Sequence, residues 1–115
     1  MNPVKTIEVK TTQAGQNPHG VESKSLYNTE HATLTHLALR PGEQLKRHIT
    51  PTDVFFYVLE GRGFVEVGDE TKEVGPDTLI ESPNGIPHCW YNRGNSILRF
   101  LVCKVPRQTE PTKIL

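Results

Sequence analysis

Punctuation constrains this chain more than any other feature. Nine glycines and nine prolines among 115 residues fall singly or in pairs between short runs of alternating polarity, never in one block. Glycine admits positive φ and proline fixes φ, so each such position ends a regular element after a handful of residues. No segment keeps an apolar period of about 3.6 over a helix's length; the alternation has period two. The expected strands are Val4 to Val9, Val21 to Tyr27, Ala32 to Leu39, Leu45 to Ile49, Val54 to Leu59, Phe64 to Val67, Lys72 to Val74, Thr78 to Ser82, Ile86 to Tyr91 and Ile97 to Val105. That many short strands in so small a chain predict an all-β barrel or sandwich.

The chain is long enough for one domain with a real core. Its 13 basic and 13 acidic side chains give a formal net charge of 0. The densest basic cluster is Lys46-Arg47, so charge argues against nucleic acid and anionic membranes as partners. Cys89 and Cys103 are too few for a disulfide scaffold and match no zinc spacing. No leader or membrane-spanning run is legible, and the expected setting is cytoplasmic.

Two histidines sit in similar surroundings. His48 follows the Pro41-Gly42 turn on a short strand; His88 follows Pro83-Asn84-Gly85-Ile86-Pro87, with Asn92 four residues on. Imidazole is the commonest protein ligand for divalent transition metals, and it titrates near neutrality. Two histidines from two strands could share an ion, although a stable site takes three or four protein ligands.

Here the chain resembles the small single-domain cupins, whose fold is a double-stranded β-helix or jelly-roll barrel. The family's first motif reads Gly, five residues, His, one residue, His, three or four residues, Glu, six residues, Gly. Gly42, His48 and Gly61 match it, and Phe56-Tyr57-Val58-Leu59-Glu60-Gly61 follows its usual wording. The second motif reads Gly, five residues, Pro, one residue, Gly, two residues, His, three residues, Asn. Pro83, Gly85, His88 and Asn92 fit, and Asp77 fills the opening glycine position. The resemblance covers roughly residues 32 to 105.

In metal-binding cupins the ligands are both histidines and the glutamate of the first motif and the histidine of the second. Here Thr50 stands at the second histidine position and Val54 at the glutamate position. The resemblance therefore leaves His48 and His88 as metal ligands, with Ni, Zn, Cu or Fe as the expected ion for so open a site. Asp53 should point away from the interior, His36 and Glu81 are out of phase with their apolar neighbours, and His19 and His31 sit in solvated turns. The pocket-lining set is Thr50, Val54, Phe56, Trp90, Phe100 and Val102, with Val58 and Leu98 in phase. Taking Arg93-Gly94-Asn95 as a hairpin loop sets His88 opposite Phe100 and turns Cys89 outward, so no Cys89–Cys103 bridge is expected.

The organisation read from this is an N-terminal arm with edge strands (1–30), a cupin barrel (31–106) and a polar C-terminal tail (107–115). The resemblance implies a homodimer, with Val4 to Val9 as the strand that packs on the partner. Two functions stay open: a module binding a small organic molecule beside a reduced two-histidine site, or a metal-dependent oxygenase, isomerase or lyase with a non-standard ligand set.

Overall fold

Alternation gives each run one face for an interior. In the computed structural model, which describes residues 3–115, those faces close on each other across two sheets. The strands are β1 (Glu22–Asn28), β2 (Thr33–Leu39), β3 (Gln44–Ile49), β4 (Asp53–Glu60), β5 (Gly63–Val67), β6 (Glu70–Val74), β7 (Leu79–Ser82), β8 (His88–Tyr91), β9 (Leu98–Val105) and β10 (Lys113–Ile114). One sheet has the order β1-β2-β9-β4-β7 and the other β10-β3-β8-β5-β6, with every pairing antiparallel. From β2 onward every connection except the β5–β6 hairpin crosses between sheets. That winding is the double-stranded β-helix.

The expected β8–β9 hairpin is one of the crossings. His88 pairs with His48 and Val67 and not with Phe100, which pairs with Leu37 and Val58. Asn92 fixes the crossing. It is 1% exposed, and its Nδ2 donates to Leu39 O and Ser96 O at 2.9 Å each while its Oδ1 accepts from Gly94 N at 3.1 Å. Gly61 shapes the neighbouring turn. Its φ is +83°, and a Cβ there would lie 2.2 Å from Ile97 O, so only glycine fits.

The interior is layered along the first sheet. Leu39 faces Leu98; Leu37, Phe100 and Val58 form the next row; Thr35, Val102, Phe56 and Ile80 the next; Thr33, Lys104, Val54 and Ser82 the last. Apolar rows fill the closed end and polar groups enter toward the other. Trp90 stacks on Phe100 (4.1 Å between centroids, 16° between planes), and Phe56 meets both edge-on. Such pairs contribute about 0.5–1.5 kcal/mol beyond area burial.

Two expectations need correction. Val4 to Val9 forms no strand in this chain: residues 3–8 are irregular, Val4 and Ile7 are exposed, and Val9–Thr11 is a single 3₁₀ turn. Alternation alone makes no strand without an edge to pair with. The C-terminal segment is not a free tail, because Lys113 and Ile114 pair with Ile49 and His48. Cys89 points out of the barrel as expected and is buried there under Glu66 (3.5 Å) and Tyr91 (3.3 Å); it and Cys103 lie on different sheets and are free. No helix among the described residues is long and apolar enough to cross a membrane.

Candidate functional site

Strict alternation cannot put Leu45 and His48 on one face, since they are three residues apart. A bulge does it. Leu45 pairs with Trp90 and His48 with His88, so β3 carries one residue more than β8 over this span. The extra residue turns both Leu45 and His48 inward, leaves Lys46 exposed, and sends Arg47 outward to Glu66. It also frees the peptide groups of Lys46 from the ladder. Lys46 O accepts from His48 Nδ1 at 2.5 Å, and Lys46 N donates to Nδ1 of His19 at 2.9 Å.

Those two bonds fix the tautomers. A carbonyl only accepts, so His48 Nδ1 carries a proton and its Nε2 is bare. His48 Nε2 lies 2.9 Å from His88 Nε2, so His88 donates there. The Nδ1 of His88 is then bare and accepts from the Ser82 hydroxyl at 2.6 Å. The result is a directed chain, Ser82 to His88 to His48 to the Lys46 carbonyl, with every step satisfied. Thr50 Oγ1 stands at its edge, 3.5 Å from His88 Nε2.

Burial keeps this chain neutral. His88, 2% exposed, is pushed down to about 3, first by desolvation and then by the charges of His48, Lys104 and His19. Desolvation also lowers His48, opposed by its bond to the Lys46 carbonyl. His19 falls to about 4 for the same leading reason, reinforced by His48, Lys46 and Lys104.

The three histidines stand at one end of a cavity of about 160 Å³. Leu37, Val54, Phe56 and Val102 supply apolar walls; Thr35, Thr50, Lys104 and Thr112 supply polar ones. Of the expected lining residues, Thr50, Val54, Phe56 and Val102 are in place beside His48 and His88. Trp90 and Phe100 are not. Both are fully buried beneath Phe56, and the Trp90 Nε1–H has no partner, so it does not reach the cavity.

Asp53 is exposed and caps Asn84 N (2.9 Å), and Glu81 is exposed on the outer face. His36 leaves the interior as expected but is 1% exposed, not solvated, with Nε2 accepting from Arg99 at 3.0 Å. His31 is exposed. His19, expected in solvent, is half-buried and its ring lies 4.7 Å from that of His48. The Asn17 side chain places it, accepting from His19 N (3.0 Å) and donating to Val21 O (2.6 Å). Its sequence signal is weak, because Asn-Pro-His-Gly reads as loop. Ser82 and Lys104 were more accessible to sequence reasoning, since both keep the inward phase of their strands.

The donors do not fit a metal held in the manner of the resemblance. Two bare Nε2 atoms could converge only if His88 changed tautomer, which Ser82 could accept. Val54 cannot ligate, and a protonated Thr50 hydroxyl is a poor donor. His19 accepts at Nδ1, so its Nε2 carries the proton and offers no lone pair. Among the described residues no group of three or more His, Cys, Asp or Glu is disposed to hold an ion, whereas stable sites take three or four.

A family described as the cupin domain matches residues 35–104. The uncharacterized protein MJ1618 of Methanocaldococcus jannaschii is 38% identical over 72 residues, which is 62% of this chain and only 57% of that protein. The structure of TT1209 from Thermus thermophilus is 30% identical with a TM-score of 0.78, over 90% of this chain and 99% of that one. The polyketide cyclase RemF from Streptomyces resistomycificus shares the fold at a TM-score of 0.85 and 24% identity, over 98% of this chain and 86% of its own. The matched span runs from Thr35 to Lys104, from one wall of the cavity to another, and takes in both histidine-bearing segments: this chain belongs to the cupin-domain family.

Proposed function

We propose that this cupin is a binding module for a small, partly apolar organic molecule held in the barrel interior. One observation carries the reading: an apolar-walled cavity abuts a histidine pair that is neutral and already satisfied within the protein. Such a pair makes no demand for a metal and leaves the walls to select the ligand. An engineered cavity of about 150 Å³ binds benzene, so about 160 Å³ suits one ring or a short branched chain.

The test is an NMR titration with single-ring compounds (phenol, benzamide, benzoate), following the methyl signals of Leu37, Val54 and Val102. Binding should shift them and vanish in Val102→Phe, which fills the space. A panel that moves none of them rejects the reading. So does near-stoichiometric metal in untagged protein, by plasma mass spectrometry, that is lost in His88→Ala.

The reading includes a homodimer. It is supported by the outer face of the first sheet, where Leu34, Cys103 and Phe55 lie side by side next to Leu101, Tyr57 and Leu79. Leu79 is 52% exposed on that face, and Val4 and Ile7 are exposed as well. Light scattering should give twice the chain mass for the parent and the single mass for Leu79→Asp; a monomeric parent rejects it.

A further inference from the structure

Lys104 is the outlier of the cavity. It continues the inward phase of Phe100 and Val102 on β9 and pairs with Thr33 and Val54 in the last interior row. Its Nζ donates to Gln108 Oε1 at 2.8 Å. Gln108 is itself held by the returning chain, donating to Glu110 O (2.6 Å) and Thr112 Oγ1 (2.9 Å). The ammonium is thus aimed by a neutral amide, and no carboxylate answers it.

Every Lys or Arg ion pair among the described residues lies elsewhere: Lys10–Glu8, Lys24–Glu22, Arg47–Glu66, Arg62–Glu73 and Arg99–Glu60. The cavity lining holds no Asp or Glu at all, only Lys104 and three histidines as titratable groups. The neighbouring acids are turned away: Asp53, beside Lys104 across the sheet, caps Asn84 N, and Glu81 and Glu110 are exposed. Withdrawing a cation from water without a counter-charge is costly, and a ligand that supplies the charge recovers that cost. Burial also lowers the Lys104 pKa, in keeping with an ammonium that lacks an ionic partner.

We infer that the cavity takes a small monocarboxylate of about benzoate size, its charge paired with Lys104 and its apolar part against Phe56 and Val102. One cation amid apolar walls suits a single negative charge; a phosphate dianion would bury a second charge unanswered. This rests on the reading of the cavity as a ligand site, and the two are separable by experiment.

Benzoate and benzamide are nearly equal in size and shape and differ in charge. Titrated into the parent at pH 7.5, benzoate should bind at least about tenfold tighter, as charge-assisted hydrogen bonds predict. The Lys104 side-chain Cε signal should move with benzoate and not with benzamide. Lys104→Met, which keeps the length, should equalise the two. Equal affinities in the parent, or a benzoate preference that survives in Lys104→Met, overturn this inference and leave the ligand site standing. If neither compound binds, the inference falls; if phenol fails as well, the ligand site falls with it. The parent comparison and the Lys104 signal decide the matter even if the variant does not fold.

Discussion

The two motif segments, residues 42–61 and 77–92, do the same structural work with different residues. The first runs from the second sheet to the first (β3 to β4), and the second returns (β7 to β8). Their strands pair, β3 with β8 and β4 with β7, and their crossing turns bond to each other: Gly85 N donates to Thr50 O (3.3 Å) and Asn84 N to Asp53 Oδ1 (2.9 Å). Each brings one histidine to the mouth. Segment one keeps both turn glycines, Gly42 and Gly61, and lacks two metal donors. Segment two keeps His88 and Asn92 and places Asp77 at its opening glycine, where φ is +62°. Backbone geometry and ligand chemistry are separable demands: the barrel needs the turns and the buried staple, not the donors.

The largest expected effect comes from erasing that difference. Thr50→His with Val54→Glu gives segment one the donors it lacks. Zn or Ni affinity should rise by about three orders of magnitude, ~4 kcal/mol, measured by competition with a chromogenic chelator. Affinity unchanged from the parent would mean that position and not residue type is missing.

Next comes the turn backbone. Gly61→Ala combines a left-handed φ with a Cβ driven into Ile97 O, a loss of about 3–4 kcal/mol in urea unfolding. Gly42 has the same φ sign but open space around it, so Gly42→Ala should lose only about 1–2 kcal/mol. Equal losses would show that φ alone sets the cost. In segment two, Asn92→Ala strips three hydrogen bonds from a buried crossing, and about 2–3 kcal/mol should go with them.

Acid should separate the two histidines. Unfolded His88 takes a proton near 6.5, and in the fold not until about 3. Between those values the unfolded state binds more protons, so stability is full above 6.5 and declines as pH falls. From pH 7.5 to 5.5 His88 alone accounts for about 1.4 kcal/mol, and His19 adds in the same direction. His48 has a backbone carbonyl for its proton and His88 only a hydroxyl, so ring NMR should show His48 protonating first. Equal urea midpoints at the two pH values would mean that the pair is hydrated.

Alternation and punctuation make most of the barrel legible, because both are local. What they miss is set by pairing at a distance. A crossing and a hairpin keep the same inward phase, so Asn92 to Ile97 reads as either until β8 finds β3. The bulge at Lys46-Arg47 leaves no mark in the alternation, which by itself would turn His48 away from Leu45. His19 reaches the mouth only through Asn17, and β10 is a short polar segment that becomes a strand by docking on β3. Trp90 shows the opposite error: an aromatic with a polar handle invites a functional reading, yet stacking on Phe100 holds it in the core with that handle unpaired.

The smallest effect tests the same separation from the other side. Asp77 holds a left-handed φ, its N–H donating to Val58 O at 2.9 Å, so the turn is formed despite the side chain. Aspartate tolerates this region better than most residues, and glycine better still. Asp77→Gly removes that strain and also an acceptor for the Tyr57 hydroxyl, 3.3 Å away on the surface. It also frees the unfolded chain, which offsets part of the gain. The net expectation is a stabilisation of about 0.5 kcal/mol, read as a small rise in the urea midpoint, with the Tyr57 pKa falling back as Asp77's charge no longer raises it. A clear loss would show that the aspartate contributes through its side chain, and that segment two depends on residue chemistry at a position where segment one depends on backbone alone.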